Sequence, residues 1–107
     1  MRHKHSAYDK ALWALEKGRP VVAFRALKRL AESGEKDAFH MLGYLYDVRQ
    51  GTRRNRKNAV HWYRRSYRTG CSMSATNIAT IYRDLGQPRA EFEWYERAAA
   101  LGDGDAL

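Results

Sequence analysis

The sequence predicts an all-α protein, a short α-solenoid of three antiparallel helix pairs. Three stretches align with one another and each ends at a glycine: 20–34, 56–70 and 88–102. Within each stretch the apolar residues recur at spacings of three and four, which places them on one face of a helix. Glycine suits the left-handed conformation that closes a helix, and Pro20 and Pro88 suit the first turn. A unit that recurs every 32 to 36 residues is the signature of a helical repeat protein.

A matching first helix precedes each of these stretches. The segment 37–47 aligns with 74–84, and a weaker copy lies at 6–17. Gly43 and Ala79 fall at the same position of the alignment, where a small residue lets a neighbouring helix approach closely. A pair of helices therefore recurs three times along the chain.

Six helices follow from this alignment. We expect them at 6–17, 20–33, 37–48, 56–69, 73–85 and 88–101, with the longest connection at 49–55. The repeats then span about 6–34, 37–70 and 73–102 of a single domain that covers residues 1–107. Residues 103–107 match the opening of an earlier first helix, so we interpret them as the start of a truncated fourth repeat.

Size and composition restrict the class of protein. At 107 residues the chain has room for one domain, and its 44% of hydrophobic residues suffices for a core. No run approaches the roughly 18 apolar residues that indicate a membrane span, and no apolar segment of the signal-peptide type follows the basic start. We therefore expect a cytoplasmic protein that does not bind a membrane.

The sequence offers no constellation for catalysis or for a metal. Cys71 is the single cysteine, and with no histidine or acid clustered near it we interpret it as a packing residue. His3 and His5 could hold a metal only weakly, while His40 and His61 have no cysteine or acid at a ligand-like spacing. A phosphate-binding glycine loop and a nucleophile–base arrangement are absent as well. We expect a noncatalytic protein without a cofactor or a bound metal.

The second repeat carries a family resemblance in its small and aromatic residues. The matching positions are Ala38, Leu42, Gly43, Tyr46, Gly51, Ala59, Val60, Trp62, Tyr63 and Gly70. In these positions the stretch resembles a Sel1-like repeat, a relative of the tetratricopeptide repeat. The third unit has Glu91 where that pattern prefers alanine, and the first has Ala26 and Leu27 in place of the Trp-Tyr pair. The resemblance implies an interaction scaffold, a role in which such repeats serve many unrelated partners.

The resemblance also implies where a partner would bind. In the tetratricopeptide architecture the first helix of each pair lines the concave side, and its positions outside the core meet the ligand. Here those positions are Tyr8, Leu12, His40, Tyr44, Asp47, Thr76, Thr80 and Arg83. A mixed groove of this kind suits an extended or helical peptide, so the leading hypothesis is a protein-binding adaptor. The alternative for Tyr44 and Leu12 is that they only close gaps between neighbouring repeats.

A basic segment covers the loop and outer helix of the second repeat. Between 49 and 68 there is no acidic residue, and the basic residues are Arg49, Arg53, Arg54, Arg56, Lys57, Arg64, Arg65 and Arg68. One interpretation is a basic ridge that binds RNA, another polyanion or an acidic protein; the other is the solvated outer face of a helix. The Trp62–Tyr63 pair does not favour nucleic acid, because a second Trp-Tyr pair lies among acidic residues at 94–95.

The last predicted helix presents apolar residues without a repeat to cover them. Phe92, Tyr95 and Leu101 are the candidates for such a surface. One interpretation is self-association through residues 88–107, as a C₂ homodimer or head to tail, with the acidic third repeat biasing the pairing. The other is that Leu101 and Leu107 fold back and cover this end within one chain.

Overall fold

A computed structural model describes residues 6–102 of the chain. Six α-helices follow one another in these residues: α1 (Ala7–Glu16), α2 (Pro20–Glu32), α3 (Asp37–Val48), α4 (Arg56–Arg68), α5 (Ser72–Asp84) and α6 (Pro88–Ala100). Each predicted helix is confirmed, with ends that differ by no more than one residue. His3, His5 and the predicted opening of a fourth repeat at 103–107, which includes Leu107, lie outside the described residues.

The helices stack in the order of the sequence. They form three antiparallel pairs, and the principal contacts join each helix to the next, both within a pair and between pairs. The described part of the chain is elongated, with extents of 46 × 33 × 23 Å. This arrangement is the predicted α-solenoid, in which each repeat packs only against its neighbours. Within residues 6–102, no helix is long and apolar enough to cross a membrane.

Local sequence sets where the helices begin and end. Pro20 and Pro88 occupy the first turn of α2 and α6, where the fixed φ of proline fits and its missing N–H is not needed. Ser6 and Asp9 form a reciprocal capping box at the start of α1, with hydrogen bonds of 3.0 and 3.2 Å. Gly34 follows α2 with φ of 93°, a conformation that residues with a Cβ rarely adopt.

The core runs through the stack, and α3 and α4 approach each other closely within it. Its fully buried large side chains are Leu27, Leu42, Leu45, Tyr63, Ile78 and Ile81. A Cβ on Gly43 would lie 2.8 Å from Cδ1 of Tyr63 and 3.2 Å from the backbone oxygen of Ala59. The small residue predicted at position 43 is therefore required by the contact between these two helices.

The connection 49–55 is the longest between helices of the described chain, as predicted, and it folds back against α2. Arg49 closes α3 in the left-handed conformation, with φ of 63°. Gly51 also has a positive φ, of 77°, and a Cβ there would meet the carbonyl oxygen of Pro20 and lie 2.8 Å from Cβ of Phe24. The loop can reach α2 only with glycine at this position.

Replacing Gly51 with alanine tests this close approach. We expect Gly51→Ala to lower the free energy of unfolding by about 3 kcal/mol, because the left-handed strain is joined by a clash with backbone atoms. Gly86→Ala is the matched control, since Gly86 has φ of 70° but no atom within 4 Å of its added Cβ. The control should lose only about 1 kcal/mol in urea unfolding followed by circular dichroism. Equal losses would show that the contact with α2 is not close.

Candidate partner-binding surfaces

The predicted concave positions lie on α1, α3 and α5, the first helices of the three pairs. Tyr44 is 40% exposed, and the side chain of Arg83 is 58% exposed. The other positions are half-buried: Tyr8, Leu12, His40, Asp47, Thr76 and Thr80. Tyr44 is therefore the only aromatic side chain of this set, among the described residues, that presents much of its surface to solvent.

An open groove lies between the C-terminal ends of α3 and α5. Its volume is about 390 Å³ and its lining residues are Asp47, Val48, Arg49, Arg54, Thr80, Ile81 and Asp84. The structure thus brings the predicted residues Asp47 and Thr80 together at one place. It also adds Val48, a 38% exposed apolar residue that the sequence analysis did not single out.

Asp47 anchors the rim of this groove. Its carboxylate accepts a hydrogen bond from the Tyr63 hydroxyl at 3.3 Å and forms an ion pair with Arg54 at 3.9 Å. Burial raises the pKa of Asp47, and the hydrogen bond from Tyr63 and the charge of Arg54 act in the opposite direction. Burial and the Asp47 carboxylate also raise the pKa of Tyr63, so the phenol stays neutral and donates. Asp47 therefore ties α3 to α4 as well as facing the groove.

His40 belongs to a polar cluster between α3 and α5. Its Nδ1 lies 2.6 Å from Oγ of Ser74 in a hydrogen bond, and its ring lies 5.3 Å from that of Tyr63, centroid to centroid. Ser74 is fully buried, and its hydroxyl donates to the sulfur of Cys71 at 3.4 Å. Burial lowers the pKa of His40 below its ordinary value, which favours the neutral ring.

Cys71 has a histidine neighbour that the sequence analysis missed. Its sulfur lies 3.9 Å from Nδ1 of His40, 31 residues away in the sequence. The premise that no histidine lies near Cys71 was wrong, because the register of α5 against α3 brings the two together, while the interpretation of Cys71 as a packing residue stays a prediction. Burial raises the pKa of Cys71, but hydrogen bonds from Ser74, Ser66 and the backbone outweigh it, and the net shift is downward. Residues 6–102 contain no group of three or more potential metal ligands.

The predicted basic ridge is divided between two roles. Arg54 pairs with Asp47, and Arg56 lies 3.7 Å from a carboxylate oxygen of Asp84. Arg65 lies over the ring of Phe39, 4.5 Å from its centroid, and 5.0 Å from that of Trp62. Arg54 thus joins the loop 49–55 to α3, and Arg56 and Arg65 join α4 to neighbouring helices. The roles of Arg56 and Arg65 depend on which way α4 turns each side chain, which the charge run alone does not specify.

The rest of the ridge faces solvent. A shallow groove of about 340 Å³ on α4 is lined by Lys57, Val60, His61, Arg64 and Arg68, without a carboxylate. Arg49 and Arg53 are exposed in the loop 49–55. The surface open to an anion is therefore narrower than the whole segment 49–68.

The candidate self-association residues lie on and just after α6. Phe92 is 57% exposed and Leu101 is 42% exposed, whereas Tyr95 is half-buried and packs against the core. Leu101 is thus only partly covered by residues 6–102, and the alternative that Leu107 helps to cover this end concerns a residue outside them. Trp94 is buried, with Arg64 and Arg97 at 5.5 and 4.4 Å from its ring centroid.

Comparisons of sequence and of structure with known proteins both point to the Sel1 repeat. Residues 37–71 and 92–103 match the model of the Sel1 repeat. A protective antigen of uropathogenic Escherichia coli with an SLR fold superposes with a TM-score of 0.78 at 30% identity, over 94% of this chain and 23% of the antigen. A Sel1 repeat protein from Oxalobacter formigenes superposes with a TM-score of 0.72 at 25% identity, over 94% of this chain and 46% of that one.

A curated relative matches over a shorter stretch. Chitin synthase regulatory factor 4 of Schizosaccharomyces pombe is 30% identical over 70 residues, which are 65% of this chain and 10% of that protein. The chain therefore spans less than half the length of each of these three similar proteins.

The cluster around His40 predicts how stability depends on pH. Because burial lowers the pKa of His40 in the folded state, the unfolded chain binds a proton more readily. The contribution of neutral His40 to the free energy of unfolding should therefore be complete above pH 6.5, the ordinary pKa of histidine. This contribution should be lost as the pH decreases through the pKa of His40 in the folded state. His40→Asn keeps a polar group beside Ser74 that does not titrate. The free energy of unfolding of this variant should therefore decline less between about pH 7 and pH 5 than that of the natural protein. His61→Asn, at an exposed position, is the control, and equal slopes for all three proteins would contradict the expectation.

Proposed function

This chain is a Sel1-like repeat protein, and on that premise we propose that it is a noncatalytic adaptor that binds another protein along its concave helices α1, α3 and α5. Sel1-repeat proteins are in general protein-interaction scaffolds. The relative from Schizosaccharomyces pombe is named a regulatory factor, which agrees with a role exerted through another protein. We therefore expect the partner protein to contact the concave surface.

The observation that carries the proposal is the exposed ring of Tyr44 at the centre of this surface. Large aromatic side chains supply much of the binding energy of protein interfaces when a partner covers them. Tyr44 is 40% exposed, so a partner can reach its ring. A partner segment would cover the ring and hydrogen-bond to the hydroxyl.

The neighbours of Tyr44 are held in place by contacts within the chain. His40 lies one turn before it and is fixed by Ser74, and Asp47 lies one turn after it and is fixed by Tyr63. A partner therefore meets a surface whose side chains lose little freedom on binding. The open groove beside Asp47 continues the surface towards α5, where Thr80 lines the groove and the exposed Arg83 follows on the same helix. Such a surface fits an extended or helical peptide that carries an apolar anchor.

Replacing Tyr44 with alanine tests this proposal. Capture of partner proteins from a native extract treated with nuclease should be strongly reduced, and affinity for a captured partner should fall by about 2 kcal/mol. Binding should change little between about 50 and 500 mM salt, because the contact is mainly apolar. Val22→Ala is the matched control, since Val22 is 57% exposed but lies on α2, outside the concave helices. Equal capture by both variants would contradict the proposal.

A polyanion is the alternative ligand, and the same experiment distinguishes it. Binding to a polyanion should weaken steeply with salt, because bound counterions are released on association. Replacing Arg53, Arg64 and Arg68 with alanine is the appropriate test, since Arg54 and Arg56 already have carboxylate partners. Three results together would favour RNA: nuclease treatment abolishes capture, the triple alanine variant abolishes capture, and Tyr44→Ala leaves capture intact. RNA binding would then replace protein binding as the proposed function.

A further inference from the structure

Two outer helices carry opposite charges at one equivalent position, Arg64 on α4 and Glu96 on α6, and a histidine and a glutamate at another, His61 and Glu93. On α4 one exposed stripe consists of Lys57, His61, Arg64 and Arg68. On α6 the equivalent stripe consists of Arg89, Glu93, Glu96 and Ala100. Both sets have spacings of four, three and four residues, which form a straight line on the outside of a helix.

The geometry of the repeat aligns these stripes with each other. Helices α4 and α6 have 13 residues each and occupy the same place in successive helix pairs. Because α5 is antiparallel to both, α4 and α6 run in the same direction and hold equivalent residues at similar heights. His61 therefore lies at the same height as Glu93, and Arg64 at the same height as Glu96. The two levels are about 4.5 Å apart along the helix axes, which is the rise of three residues.

We propose that the outer face formed by α4 and α6 binds a second copy of this chain. A two-fold axis parallel to these helices, between them and in the plane of contact, places α4 of one copy against α6 of the other. The same rotation keeps every residue at its own height along the axis. His61 then faces Glu93 of the other copy and Arg64 faces its Glu96, and the symmetry forms each contact twice.

The arginine at the centre of this face is already oriented. The guanidinium of Arg64 lies over the ring of Trp94, 5.5 Å from its centroid, and this cation–π contact holds the charge at the boundary between α4 and α6. Glu93 lies 3.5 Å from Arg89 in an ion pair on the same helix. The one like-charged couple in the arrangement is Lys57 with Arg89 of the other copy. Since 95% of the Arg89 side chain is exposed, it can turn away from the contact.

Three charged residues of the stripes form no ion pair within the described part of the chain, whereas Glu93 pairs with Arg89 on its own helix. No ion pair among residues 6–102 involves Arg64, Arg68 or Glu96. A repeat stacked beyond α6 would cover Phe92 and leave the stripe of α6 open, as α5 and α6 leave the stripe of α4 open. Nucleic acid fits this face less well, because Glu93 and Glu96 adjoin the basic stripe and the nearby Trp94 ring is buried.

A charge exchange tests the proposal on the purified chain alone. At about 50 mM salt, sedimentation equilibrium should show a monomer–dimer equilibrium that shifts to monomer at about 500 mM. Arg64→Glu and Glu96→Arg should each raise the dissociation constant about tenfold, because each change affects two symmetry-related contacts. The double variant R64E/E96R should restore dimerisation, since the opposite charges face each other again. Circular dichroism monitors folding, and Glu96→Arg leaves the stacking of Arg64 on Trp94 untouched.

Arg53→Glu provides the matched control, with the same change of charge at an exposed loop position. It should leave the dissociation constant within about twofold. A strict monomer up to about 1 mM at low salt would overturn the proposal, and RNA or acidic-peptide binding that requires Arg64 would then assign the stripe to that ligand. A dimer whose dissociation constant does not respond to the charge changes would also overturn the proposal. Phe92 and Leu101 would then be the candidates for the dimer contact. Neither outcome bears on partner binding through Tyr44, which is measured separately.

Discussion

The contact between Gly43 and Tyr63 is the constraint on which the rest of the structure depends. It lets α3 and α4 approach until the tyrosine ring is fully buried, and burying a ring of this size contributes roughly 2 to 3 kcal/mol. The Tyr63 hydroxyl is not stranded by this burial, because it reaches the Asp47 carboxylate at 3.3 Å. One glycine thus allows an aromatic residue to fill the core while its polar end reaches the groove.

The same tyrosine links the candidate partner surface to the core. On one side its hydroxyl holds Asp47, and on another its ring lies against His40, which in turn bonds to Ser74 of α5. The residues on either side of Tyr44 in α3 are therefore fixed by the packing of α3 against α4 and α5. A scaffold that binds through an exposed ring needs this kind of support, because rigid neighbours reduce the entropy lost on binding.

Sequence reasoning predicted the helices well because their limits are encoded locally. Proline at the start of α2 and glycine after its end act through backbone conformation, which a sequence shows directly. The surfaces were harder to predict because they depend on register between helices. His40 meets Cys71 only after α3 and α5 pack, and no spacing along the chain indicates that meeting.

The basic segment 49–68 also shows that the environment of a side chain depends on how the helices pack. A count of charges treats Arg56 and Arg64 alike, yet Arg56 turns towards Asp84 while Arg64 remains on the outer face and stacks on Trp94. Both belong to α4, and the direction of each side chain is set by the helical period relative to the neighbouring helices. The equivalence of Arg64 and Glu96, in contrast, could be read from the aligned repeats once their outward direction was known.

A double-mutant cycle on Gly43 and Tyr63 tests the central claim most directly. In the natural background, Gly43→Ala should lower the free energy of unfolding by about 1 to 2 kcal/mol, because the added methyl meets the buried ring. With Tyr63→Leu in place, the same change should cost little or stabilise by up to about 1 kcal/mol, since alanine is the better helix former. We expect a coupling energy above about 1 kcal/mol between the two positions in urea unfolding. If Gly43→Ala had the same effect in both backgrounds, the close contact would not be the constraint on which the fold depends.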